Sequence, residues 1–327
     1  EVTDDTLIHF GMDDVKQKIL TIPLWLSIYL AIANENKQAP VFVNKLELIK
    51  KYWEDRIQAL TELGFSQTEI SSAVEHLVTT ASHIMQNGIP ENLLDSQFYK
   101  VYEAMVSTGI LTKQDGKITF FHQALYDYQL GKKLYEYALV STEQFLYAFG
   151  DKSQQLLTRR EHIKYALSLI LQTEQKRFAD VIWALLTSVN IRFHLKYLAL
   201  KMLKEVTEIK KPTEKLINNI LQDATLEKNF IDNCCFGSPI LVEFLSNQNY
   251  ISKWLASGDE KNIDLAIRLL RSVIEARSDL LIQNMNPYFN QSDEWNSRYL
   301  NAIWQPASKD NPEIFEIRKK ISKEMTN

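Results

Sequence analysis

Apolar residues recur at three- and four-residue spacing along most of the chain, the pattern of amphipathic helices. One such set is Leu195, Leu198, Ala199, Met202, Leu203 and Val206, and another is Ile263, Ala266, Ile267, Leu270, Val273 and Ile274. Ile163, Ala166, Leu167, Ile170 and Leu171 form a third, and Ile314, Ile317 and Ile321 a thinner last one. Each set lines one helix face. From Ser141 onward the polar turns cut the chain into helices of about ten to eighteen residues, with no alternating strand pattern. Paired helices stacked side by side bury such faces, so residues 139–327 are expected to form an α-solenoid of HEAT or armadillo type, although no exact sequence period is visible.

The first 138 residues are patterned differently. A weakly amphipathic helix is expected over residues 12–22, running into the apolar stretch at 22–30, and a polar break follows at 36–40. Asn44 with Glu47, and Ser66 with Glu69, have the spacing of capping boxes and start two helices, the second reaching about Gln86 before Gly88 and Pro90. A third helix is expected over 96–108, stopped by Gly109. Residues 110–112 and 118–121 then flank Asp115-Gly116, a pair that favours positive φ and a tight hairpin turn. After His122, the residues Leu130, Leu134, Tyr137 and Ala138 return to helical spacing. Residues 37–138 thus read helix, helix, helix, hairpin, helix, which is the order of a winged-helix domain. The expected fold class is mainly α, with a small β-hairpin in the winged helix and an α-solenoid after it.

Composition narrows the function. At 327 residues the chain exceeds one ordinary core, which calls for two or three units. The net charge is −4, and basic residues are scattered among acidic ones, so the electrostatic footprint of a nucleic-acid binder is absent. Gln97, Tyr99, Lys100 and Glu103, on the helix that winged helices often place on DNA, offer one positive charge against one negative. The two cysteines, Cys234 and Cys235, are adjacent, which suits neither a stapling disulfide nor a zinc site and suggests a reducing cytoplasm. The longest apolar run, at 22–33, is shorter than the ~20 residues a membrane helix needs, and no signal segment is visible.

Candidate chemistry is sparse. None of the nine glycines begins a G-x-x-x-x-G-K-[ST] run, so no phosphate-cradling loop is present. Gly131-Lys132-Lys133 sits inside a helical pattern, where Gly131 is expected to serve close helix packing. His9, His76, His83, His162 and His194 show no metal-type spacing and read as structural or surface residues. Tyr126, Tyr128, Tyr135 and Tyr137 spread over more than one helix face, which fits packing better than a base-stacking platform.

Two segments carry a resemblance. Phe-Phe-His-Gln-Ala-Leu-Tyr-Asp-Tyr, at residues 120–128, resembles the end of the winged-helix domain in the STAND signal-transduction NTPases, particularly their NACHT branch. Ile-Pro-Leu-Trp-Leu-Ser-Ile-Tyr-Leu, at 22–30, resembles their small helical domain, which follows the ATPase core. The resemblance implies that His122 touches the β-phosphate of bound ADP and that Pro23 packs on the nucleotide base. Both roles suit the residue types: a proline offers a rigid apolar face at a helix start, and an imidazole offers a donor to a phosphate oxygen. At the position of Gly131 the family usually has Ala.

On this resemblance, residues 1–36 end the small helical domain, 37–138 form the winged helix and 139–327 the repeats. ATP or ADP with Mg would belong to the full-length protein, an ATPase, and none would be bound by this chain alone. Its partners would be the ATPase core of the same polypeptide and a protein or other macromolecular trigger, with oligomerisation on activation. Glu1 is expected not to be a native start, because an initiator Met is rarely removed before a large acidic residue. In bacteria the resemblance implies anti-phage defence or signalling. The rival expectations are a nucleotide-independent helical-repeat scaffold with a winged-helix adaptor, and a winged-helix transcription regulator.

Overall fold

The computed structural model describes residues 14–36, 39–84 and 88–303, together with 312, 315, 316 and 319. Within them the chain is mainly helical, with seventeen α-helices and one small three-stranded sheet. It divides into two compact units, one of residues 1–148 and 156–169, the other of 149–155 and 170–327. The helix expected at Ile314, Ile317 and Ile321 lies outside the described residues, as does His9.

The first unit begins with α1 (Asp14–Leu20) and α2 (Pro23–Asn36). Pro23 sets the break between them, because it cannot donate a backbone hydrogen bond and biases Ile22 away from helical dihedrals. In α2, Trp25, Ile28, Tyr29 and Ile32 are buried at one-face spacing. Helix α3 (Lys45–Glu62) starts at Asn44, whose side chain accepts from the Glu47 amide at 2.9 Å. The return bond goes one residue further back than a capping box requires, from the Val43 amide to Glu47. Helix α4 (Gln67–Ile84) has the full box, with Ser66 and Glu69 each receiving the other's amide.

Helix α5 (Tyr99–Ser107), entered through a 3-10 turn at Ser96–Phe98, ends in a Schellman motif. The Gly109 amide donates to Val106 O and the Ile110 amide to Met105 O, with Gly109 at φ 78° and Ile110 fully buried. Strands β2 (Leu111–Gln114) and β3 (Lys117–Phe120) pair antiparallel, Gln114 facing Lys117 across the two-residue Asp115-Gly116 turn. Both turn residues have positive φ, 51° and 70°, as the sequence predicts.

One strand was not expected. Ile89–Pro90, two residues seen in the sequence as helix terminators, forms β1 and pairs with β3, giving the order β1-β3-β2. Proline is tolerated there because β1 is an edge strand. Helix α6 (Gln123–Val140) follows the sheet, and α7 (Thr142–Tyr147) follows α6. Residues of α1 to α6 and of all three strands share one apolar core.

Helix α8 (Arg159–Thr173) precedes the helices of the second unit, α9 (Gln175–Thr187), α10 (Phe193–Lys201), α11 (Lys211–Leu221) and α12 (Ala224–Phe230). Then come α13 (Pro239–Asn247), α14 (Tyr250–Leu255), α15 (Glu260–Ser272), α16 (Ser278–Met285) and α17 (Asp293–Ile303). The apolar face expected to run from Leu195 through Val206 is not one helix: α10 gives way to a 3-10 turn at Met202–Glu205, although Met202, Leu203 and Val206 stay buried. Between α12 and α13 lies a π-helical turn, Ile231–Cys235.

Those polar bonds of the second unit that join residues more than 30 positions apart have a regular reach. Gln155 bonds Asn190 O, 35 residues on; Tyr197 bonds Asn233, 36 on; the Gly237 amide bonds Ser272, 35 on; Gln248 bonds Glu214, 34 back; and Asn284 bonds Ser246, 38 back. The extremes are 32, from Lys204 to Phe236 O, and 38, from Arg298 to Glu260 among others. That distance along the chain is about two helices with their turns.

Candidate functional site

His122 stands between the sheet and α6. Its backbone is extended, φ −143° and ψ 144°, and it is the N-cap of α6. Two anchors fix it: the Phe121 amide donates to Ile110 O at 2.9 Å, and the Leu125 amide donates to His122 O at 2.9 Å. The side chain completes the cap, Nδ1 accepting from the Ala124 amide at 3.1 Å. A histidine can replace the usual Ser, Thr, Asp or Asn here only with Nδ1 unprotonated. The neutral ring therefore carries its proton on Nε2.

Burial holds the His122 pKa below the ordinary imidazole value, and the neighbouring Asp127 carboxylate opposes that shift. Both the lowered value and the cap favour the neutral ring. Because the folded value lies below the unfolded one, the stability this group contributes is fully present above the ordinary value and is lost as pH falls through the folded value. The amide resonance of Ala124 should accordingly titrate with His122, its midpoint below 6.5. A flat Ala124 resonance in a pH series would show that the imidazole is not the cap.

One stripe of α6 runs on from His122. Gln123, Asp127 and Gly131 follow each other at four-residue spacing, on one side of the helix. Asp127, 8% exposed, accepts through Oδ1 from Gln123 Nε2 at 2.8 Å and meets Nε2 of His162, on α8, at 2.9 Å. The Tyr126 ring lies edge-on to His162. A Cβ added to Gly131 would come 2.5 Å from Tyr165 Cβ and 2.9 Å from His162 O, so the absence of a side chain lets α8 seat against α6. The packing role expected for Gly131 is what the structure shows.

Pro23 is exposed at the first position of α2, beside the partly exposed Ile22. Its segment shares the apolar core with α6.

The remaining candidates resolve into packing. His76 Nδ1 lies 3.0 Å from the hydroxyl of buried Tyr102. Tyr126 and Tyr128 are in the core, while Tyr137 is exposed. Gln97, Tyr99, Lys100 and Glu103 are all exposed, and the nearby Lys113 ammonium is engaged by Glu91 at 2.7 Å. Cys234 and Cys235 are buried free thiols, and burial pushes the Cys234 pKa up to about 12. Among the described residues, no group of three His, Cys, Asp or Glu is placed to hold a metal ion, and no helix is long and apolar enough to cross a membrane. The Asp127–His162 pair escaped the sequence reading; Gln123 and Asp127 have a readable i,i+4 spacing, but nothing in the sequence ties either to a histidine 35 residues away.

Comparisons with family models, with curated proteins and with solved structures return no match.

Proposed function

We propose that this chain is the regulatory and sensing portion of a STAND NTPase of NACHT type. In this reading α3, α4, α5, the sheet and α6 are a winged helix that helps hold an ADP-bound inactive state, and the second unit is a HEAT-like solenoid that recognises a macromolecular trigger. The observation that carries it is the state of His122, which caps α6 through Nδ1 and so keeps an Nε2 proton to give to a phosphate oxygen. Pro23 supplies a rigid, exposed ring at a helix start, as a base-packing residue needs. The solenoid reading is supported by bonds that reach 32 to 38 residues along the chain.

The residues fit ADP at two contacts, and the nucleotide, with its Mg, would be held chiefly by the ATPase core of the same polypeptide. His122 would donate to the β-phosphate, giving the closed state a contact that the open state lacks. Such a differential contact biases a two-state switch, and a trigger on the repeats would shift the balance. Oligomerisation on activation and a role in bacterial anti-phage defence belong to the same proposal.

The test is ADP retention by the polypeptide extended through its upstream region, comparing wild type with His122→Ala. A hydrogen bond to a charged group contributes about 1.5–3 kcal/mol, so the variant should release ADP roughly ten- to a hundredfold faster. Unchanged release and unchanged autoinhibition would remove His122 from the mechanism. The absence of any G-x-x-x-x-G-K-[ST] run in the sequence favours a second reading, a nucleotide-independent scaffold, for which the extended polypeptide would bind no ADP at all.

A further inference from the structure

The His122 cap, the Gln123-Asp127-Gly131 stripe and α8 meet at one end of α6. Burying a carboxylate without partners is costly, and here the cost is offset by two bonds to a single oxygen. One comes from Gln123, the residue next to His122, and the other joins His162 on α8. One turn beyond Asp127, the bare Cα of Gly131 admits the α8 backbone at His162 and Ala166. Helix α8 is thus fixed on the stripe at two levels, a polar one at Asp127 and a steric one at Gly131. Asp127 is also the charged group that acts on His122 among the described residues.

We propose that Asp127 and His162 are a positioning pair, which locks the first turn of α6 to α8 and thereby holds the His122 imidazole in the single tautomer that donates from Nε2 to a phosphate. The proposal rests on the nucleotide-lid reading and deepens it, since it makes α8 a part of the phosphate-sensing end of α6. Release of α8 from the stripe would leave Asp127 held by Gln123 alone, loosen the first turn of α6 and let the imidazole exchange tautomers. The donor to the phosphate would then be present only part of the time.

The experiment is nitrogen NMR of this chain with labelled histidine, in the absence of nucleotide. Wild-type His122 should show one tautomer at neutral pH, with Nδ1 as acceptor and Nε2 protonated. His162→Leu should lose that single-tautomer signature, whereas His162→Gln, whose amide can still donate to Asp127, should keep it. Asp127→Asn removes the charge at nearly constant volume, so the His122 titration midpoint should fall further below its wild-type position. An intact single tautomer in a helical His162→Leu protein would overturn the proposal. So would an intact single tautomer in a helical Asp127→Ala protein, which decides the matter should His162→Leu fail to fold. These signals are read without nucleotide, so failure of the lid reading, seen as His122-independent ADP release, is distinguishable from failure of the positioning pair.

Discussion

Gly131→Leu should unfold or detach part of the first unit, with a larger effect than any surface substitution. Replacing glycine inside a helix ordinarily stabilises it, by about 1 kcal/mol for alanine. Here the first added carbon already falls 2.5 Å from Tyr165 Cβ and 2.9 Å from His162 O, and neither is the flexible end of a side chain. Overpacking costs about 1–3 kcal/mol, so even Gly131→Ala should be neutral to destabilising against its helix-propensity gain. Leucine must push α8 away. That displacement also breaks the Asp127–His162 contact and leaves the buried carboxylate with Gln123 as its remaining partner at that oxygen. In thermal unfolding followed by circular dichroism, Gly131→Leu should fall by roughly 6 °C or more, at the 2–4 °C per kcal/mol usual for units of this size. A melting temperature equal to wild type would mean that α8 does not seat on α6.

Phe178→Ala should produce the second large loss, in the other unit. Phe178, Val181, Ile182 and Leu185 form the fully buried stripe of α9. Truncating a buried phenylalanine to alanine costs about 3–5 kcal/mol, from lost transfer energy and the cavity left behind. Against a typical total of about 5–15 kcal/mol, that is a large fraction. With urea slopes of about 1–3 kcal/mol per molar, the unfolding midpoint should drop by about 1 M or more. Trp183 lies on the same helix and reports the transition by fluorescence. Phe178→Leu, which keeps most of the volume, should shift it far less, and equal midpoints for all three proteins would place Phe178 outside a packed core.

Local chemistry was legible in the sequence wherever a short motif determines the backbone. Asp115-Gly116 specified the hairpin, Ser66 with Glu69 and Asn44 with Glu47 specified helix starts, and Gly109 specified a stop, because each bonds or bends within a few residues of itself. Strand β1 was not legible: two residues carry no alternation, and Pro90 speaks against a strand unless the edge is known. The break of α10 at Met202 was hidden because a 3-10 turn buries Met202 and Leu203 as a helical continuation would. At the candidate site, His122 and the packing role of Gly131 could be named from sequence. The capping bond of His122 depends on a rotamer, and the Asp127–His162 pair on the placement of α8, and neither leaves a local trace.

The shared reach of the longer polar bonds in the second unit has a mechanical consequence. Among the described residues, its longer bonds tie each segment to one 32 to 38 residues away, so loosening at one end leaves the bonds at the other end in place.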